Sequence, residues 1–129
     1  MAASKNERLA RLAKLQHRLK ALHETRQAIH RKEAAAAEQE AAELAKSFDT
    51  PDSLSALFPE LYNKQIGRAL ARREQSLAGA SREAEKTTMA DARATIAERA
   101  YRKARNEEER VAEERGILEV LQQRLKPDD

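Results

Sequence analysis

Three histidines, one run of carboxylates and three glycines are the residues in this chain whose types invite a chemical reading. His17, His23 and His30 stand six and seven residues apart. A helical metal pair needs spacings of three or four, so they read as ordinary solvated side chains, or as a pH-sensitive addition to a basic segment. Glu107, Glu108 and Glu109, with Glu113 and Glu114, could gather a cation. They read more simply as a solvated helix face that answers basic residues elsewhere in the chain. Three glycines leave no phosphate-cradling loop ending in Gly-Lys-Ser/Thr. No cysteine is present, which removes thiolate metal sites, disulfides and a cysteine nucleophile. The expectation is a protein with no catalytic, cofactor-binding or metal-binding residues: not an enzyme.

Basic side chains raise a second class of function. The isoelectric point is near 9.3, and Arg68, Arg72 and Arg73 form a small cluster. A basic helical arm binding nucleic acid is therefore one alternative reading. The net charge of +3 is modest, and no aromatic residues are interleaved for base stacking. Both facts argue against it.

The elements that carry these residues are legible from composition. Ala, Glu, Lys, Leu and Arg supply 82 of the 129 residues, the balance of a coiled coil or long helix. Leu, Ile, Val and Phe number 22, too few for a thick core but enough for a seam between two helices. The sequence therefore predicts an all-α fold, a long antiparallel two-helix coiled-coil hairpin with a short helical or irregular tip. Residues 1–129 form one such unit: helix 5–46, bend and short helix 47–59, helix 60–125, tail 126–129.

No Gly or Pro interrupts residues 5–46, and Ser4 with Glu7 has the capping-box spacing. Leu12, Leu15, Leu19, Leu22 and Ile29 repeat at heptad spacing, with Arg26 in the gap, and predict the seam of the first helix. Alanines continue it from Ala34 to Ala45. In the bend, Thr50 or Asp49 can cap a short helix that starts at Pro51. Pro59 then forces a boundary. In the returning helix, Ile66, Leu70, Leu77, Ala80 and Ala84 predict one stretch of seam, and Val111, Leu118, Leu121 and Leu125 another. Gly79 costs a helix about 1 kcal/mol relative to alanine, so a three-helix arrangement broken near Gly79 is the alternative.

Charge comes in blocks. Residues 1–32 carry net +7, 33–60 net −6, 61–105 net +6 and 106–129 net −4. A hairpin sets the first block against the fourth and the second against the third, each of opposite sign. Such blocks bias orientation and register. The arms are unequal, however: the second helix is longer by some twenty residues and overhangs. Two regions follow as candidate partner-binding surfaces. One is the tip, where Phe48, Leu54, Leu57, Phe58, Leu61 and Tyr62 crowd into fifteen residues. The other is the overhang, with Val111, Leu118, Leu121 and Leu125. The start of the chain has no apolar signal segment, and the longest apolar run is Ala34–Ala37. This predicts no membrane insertion and a cytoplasmic address.

The whole pattern resembles the FliJ/YscO family, coiled-coil stalk proteins of flagellar and virulence type III export. The similarity is densest at the bend: Phe48-Asp49-Thr50-Pro51-Asp52-Ser53-Leu54, then Phe58-Pro59-Glu60-Leu61-Tyr62, then Arg72-Arg73-Glu74. The resemblance implies a non-enzymatic stalk that enters a hexameric export ATPase ring and links it to the export gate or to substrate chaperones. It also implies a place at the inner membrane face. By analogy, Leu12–Ile29 paired with Val111–Leu125 would meet the ATPase, and the tip would meet the gate. The alternative is a structural coiled-coil adaptor of another complex.

Overall fold

A computed structural model describes residues 4–126. Its elements are α1 (Lys5–Lys46), a 3-10 turn (Ser47–Asp49), α2 (Leu54–Leu57) and α3 (Pro59–Leu125). The fold is the expected all-α helical hairpin, two long helices joined by a short helical tip. Ser4 caps α1 as its position suggests: the Glu7 amide donates to Ser4 Oγ at 3.2 Å. Pro59 is the first residue of α3, where its missing N–H costs nothing. The remaining tail residues, 127–129, lie outside the described residues.

One expectation fails locally. Pro51 does not open a helix: residues 50–52 form a turn, and α2 starts at Leu54. Asp52 takes φ 63°, a left-handed conformation that Asp tolerates better than most residues. That twist aims Ser53 back at the end of α1, where its hydroxyl donates to the Ser47 carbonyl at 2.8 Å. The alternative of a break near Gly79 is not realised: α3 passes through it as the two-helix expectation requires. Helix is retained because the glycine is enclosed by packing. A Cβ there would lie 2.9 Å from two ring atoms of His30.

The helices divide into two compact units, Met1–Arg18 with Ala90–Asp129, and Leu19–Met89. In each, α1 and α3 run antiparallel, and in each the seam is narrow. Burial on α1 recurs at Asn6, Leu9, Ala13, Gln16, Lys20, His23, Gln27, His30, Ala34, Ala37, Ala41 and Leu44, an unbroken three-four repeat. On α3 it recurs at Ile66, Ala69, Arg73, Ser76, Ala80, Glu83, Thr87, Ala90, Ala94, Ala97, Tyr101 and Ala104. Every fully buried apolar residue is an alanine.

This seam is not the one the leucines predict. Leu12, Leu15, Leu22 and Ile29 are exposed, as are Leu70 and Leu77. Each lies one position away from the buried repeat. The cause is the continuous phase of the small residues. Ala34, Ala37, Ala41 and Leu44 project back onto His30, Gln27, His23 and Gln16, and forward across the hairpin onto Ala69 and Ala80. Small side chains let the two backbones approach, and this close approach outweighs burial of the bulkier row. Each buried methyl contributes about 0.8 kcal/mol. Polar side chains at seam positions such as Gln16, His23 and Gln27 cost stability but fix register.

Candidate interaction surfaces

Charge pairing is realised only in part. In the Leu19–Met89 unit the second and third charge blocks do meet: Arg72 reaches Glu40 at 2.5 Å and Arg73 reaches Glu38 at 3.8 Å. The first and fourth blocks meet only at their edge, where Lys5 and Asn6 line a shallow pocket with Glu107, Glu108 and Val111. Past Ala104, every described residue from Arg105 to Lys126 is exposed. The leucine-rich terminal stretch therefore does not close on the leucine-rich start, contrary to the expectation that they form the two thick parts of one seam. Geometry explains this. In the unit that pairs residues 1–18 with 90–129, the last seam positions out of full exposure are Asn6 on α1 and Ala104 on α3, and α3 runs on past them.

The terminal segment holds its helix by local means. Arg105 pairs with Glu109 at 3.3 Å and Arg110 with Glu114 at 4.0 Å, both four residues apart. Such pairs contribute about 0.2–0.5 kcal/mol each, and a helix already nucleated in α3 extends without a new nucleation cost. Val111, Leu118, Leu121 and Leu125 share one face of this segment by heptad spacing. Their exposures run from 39% at Val111 to 80% at Leu125. Ile117 and Val120, also exposed, widen the apolar surface.

At the tip, the six candidate residues separate into two groups. Phe48 and Tyr62 pack edge to face with ring centroids 6.2 Å apart, closing the bend from its two sides. Leu54, Leu57, Phe58 and Leu61 are each more than half exposed and close nothing. Polar groups hold the turn instead. Ser55 is fully buried, 2.6 Å from the Ser53 hydroxyl, and the Phe58 amide donates to the Leu54 carbonyl at 2.9 Å.

His23 and His30 are less solvated than their spacing suggested, while His17 stays exposed. His23 Nδ1 lies 2.6 Å from a carboxylate oxygen of Glu83, which is buried. That hydrogen bond, aided by Lys86 at 3.7 Å and by nearby Arg26, holds the Glu83 carboxyl below the usual glutamate range against the opposing effect of burial. His17 bonds Glu98, and the His30 ring sits over Gly79. These are contacts between α1 and α3, one helix to the other. Among the described residues no three His, Cys, Asp or Glu side chains come together as a metal site.

Sequence reasoning missed a third surface. Labelling the seam positions a and d, the exposed leucines of α1 fall at c and g. In an antiparallel pair the g positions of the two helices lie on one side and the e positions on the other. Glu40 with Arg72 is a g pair, and His17 with Glu98 an e pair. On α1 from Lys5 to Ile29 the c and g positions hold Lys5, Arg8, Leu12, Leu15, Leu19, Leu22, Arg26 and Ile29. On α3 from Gly79 to Lys103 they hold Gly79, Arg82, Lys86, Met89, Arg93, Ile96, Ala100 and Lys103. No acidic residue is among them. The alanine phase, followed instead of the leucines, was the signal that would have exposed this face.

No helix among the described residues is long and apolar enough to cross a membrane. A helical hairpin with exposed apolar surfaces at its tip, along α1 and beyond its seam defines the class of protein. No family model matches the chain, and no curated protein or solved structure matches it.

Proposed function

We propose that the chain is a non-enzymatic coiled-coil stalk or adaptor of a flagellar or type III protein export apparatus. In this reading it binds the export ATPase ring and couples it to the export gate or to chaperones. The observation that carries the reading is the terminal segment, residues 105–126, a helix whose described residues are all exposed and which presents Val111, Leu118, Leu121 and Leu125. An apolar stripe of this kind is a helix-in-groove ligand. The exposed Leu54, Leu57, Phe58 and Leu61 at the tip support a second, separate contact. The bend residues that resemble the FliJ/YscO family supply the identity of the partners, and with it a cytoplasmic place at the inner membrane face.

The test is co-purification with a hexameric export ATPase and measurement of its hydrolysis rate. The full chain binds and stimulates; a chain ending at Ala104 does neither, while Leu57→Ser with Phe58→Ser still binds. A full chain that neither binds nor stimulates would remove this reading in favour of an adaptor of another complex.

A further inference from the structure

Two surfaces of this one chain are complementary to each other, yet the hairpin keeps them from meeting. The first is the c and g side of α1, where Leu12, Leu15, Leu19, Leu22 and Ile29 repeat at alternating spacings of three and four, broken only by Arg26. The second is the terminal segment. Its Val111, Leu118, Leu121 and Leu125 fall on the same alternation, broken only by Glu114. Both rows are exposed apart from Leu19, which is half-buried. Two helices with the same repeat can pair over several heptads, because each knob finds a hole at the same interval.

Charge selects between possible occupants of the α1 face. Residues 1–32 carry net +7, and the sides of α1 and α3 flanking the leucines hold only basic charges. Residues 106–119 carry six glutamates and two arginines, net −4. The α1 face therefore fits an acidic amphipathic helix with a heptad apolar stripe, and this chain contains one. Within the chain that segment runs on past the start of α1, beyond the last seam positions at Asn6 and Ala104.

We propose that a second copy of this chain supplies the match: the terminal segment of each copy lies along the α1 leucine face of the other. The contact is reciprocal, so the dimer is isologous and closed. The proposal shares the exposed terminal segment with the export reading and adds to it the α1 leucine face and the charge match, on which that reading does not draw. If both hold, dimerisation occupies the same terminal segment that the ATPase would take, and the two partners compete for it.

Sedimentation of the full chain over a concentration series tests it. The expected result is a reversible transition from 14.5 kDa to twice that mass, shifted towards monomer by added salt as expected for opposed charge blocks. Two variants locate the contact. Leu118→Glu with Leu121→Glu alters the terminal segment, and Leu15→Glu with Leu22→Glu alters the α1 face. All four side chains are exposed, so helical circular dichroism reports that the fold is intact. Each double variant alone is monomeric. Mixed in equal amounts they form a heterodimer, because one intact terminal segment again meets one intact leucine face. A wild-type chain that stays monomeric overturns the proposal. So does a leucine-face variant that dimerises alone, which would mean that terminal segments pair with each other. Binding to vesicles of anionic phospholipid by a wild-type monomer would assign the basic leucine face to a lipid surface instead. None of these outcomes bears on whether the ATPase is bound.

Discussion

Two stretches of α3 show how differently one helix can be used. Between Ala69 and Ala104 its inward side is made of six alanines, a serine, a threonine and a buried glutamate, with Arg73 and Tyr101 as the large exceptions, and it packs against α1. Between Arg105 and Lys126 its apolar side chains are larger, and every one of them is exposed. Size alone would have predicted the reverse. The comparison teaches that burial here follows from how closely two backbones can approach. The larger leucine rows stay exposed because they lie off that line of approach.

The sharpest way to break this contrast is to enlarge the small side. Ala69→Leu or Ala94→Leu, each at a fully buried position, forces the helices apart and destabilises the fold by about 1–3 kcal/mol. Leu118→Ala, at an exposed one, changes stability by less than about 0.5 kcal/mol. Urea unfolding under monomeric conditions measures both, and equal effects would undo the distinction.

A glycine pair sharpens it further. Gly116 has open space around its missing side chain, so Gly116→Ala gains up to about 1 kcal/mol of helix propensity. Gly79→Ala meets the His30 ring at 2.9 Å and loses that gain to the clash. Adding His30→Ala removes the obstacle, and a double-mutant cycle from thermal melts should show strong positive coupling.

A third comparison runs across pH. The Glu83 carboxyl is held below the ordinary glutamate range by its bond to His23. A depressed carboxylate adds stability above its unfolded-state pKa and loses it as pH falls through the folded value. Glu83→Gln should therefore destabilise the hairpin near neutral pH. The difference from the native chain should close on acidification below that folded value, as both then carry a neutral group. A gap that persists at low pH would remove the role given to the charge. Smallest is the exposed pair of Arg72 and Glu40. Arg72→Glu costs at most about 1 kcal/mol, is restored by adding Glu40→Arg, and fades in salt.

The two long helices were legible because residues 5–46 hold no Gly or Pro and no proline interrupts the chain between Pro59 and Pro127. The register was not. The leucine repeat at Leu12, Leu15, Leu22 and Ile29 is the loudest periodic signal in α1, and it lies one residue from the seam. One residue is a rotation of about 100°, enough to exchange inside for outside. The quieter phase of Ala34, Ala37 and Ala41 set the packing. Both candidate surfaces were visible as positions. The unused state of the terminal segment was visible as well, because arm lengths can be counted. The α1 face was hidden by the assumption that large apolar side chains turn inward.

A seam of alanines also has a mechanical meaning. Leucine knobs in holes resist sliding, because each must climb out before it can advance. In the pair of helices between Leu19 and Met89, the stretch through Ala34, Ala37 and Ala41 has no knobs. Its hold along the axis comes from a few polar catches: His23 on Glu83, the His30 ring over Gly79, Arg72 on Glu40. The pair is stiff to bending, as any two long helices are, but its resistance to shear is electrostatic and steric at a handful of points. Ionic strength and protonation, more than temperature, set how firmly one helix is held against the other.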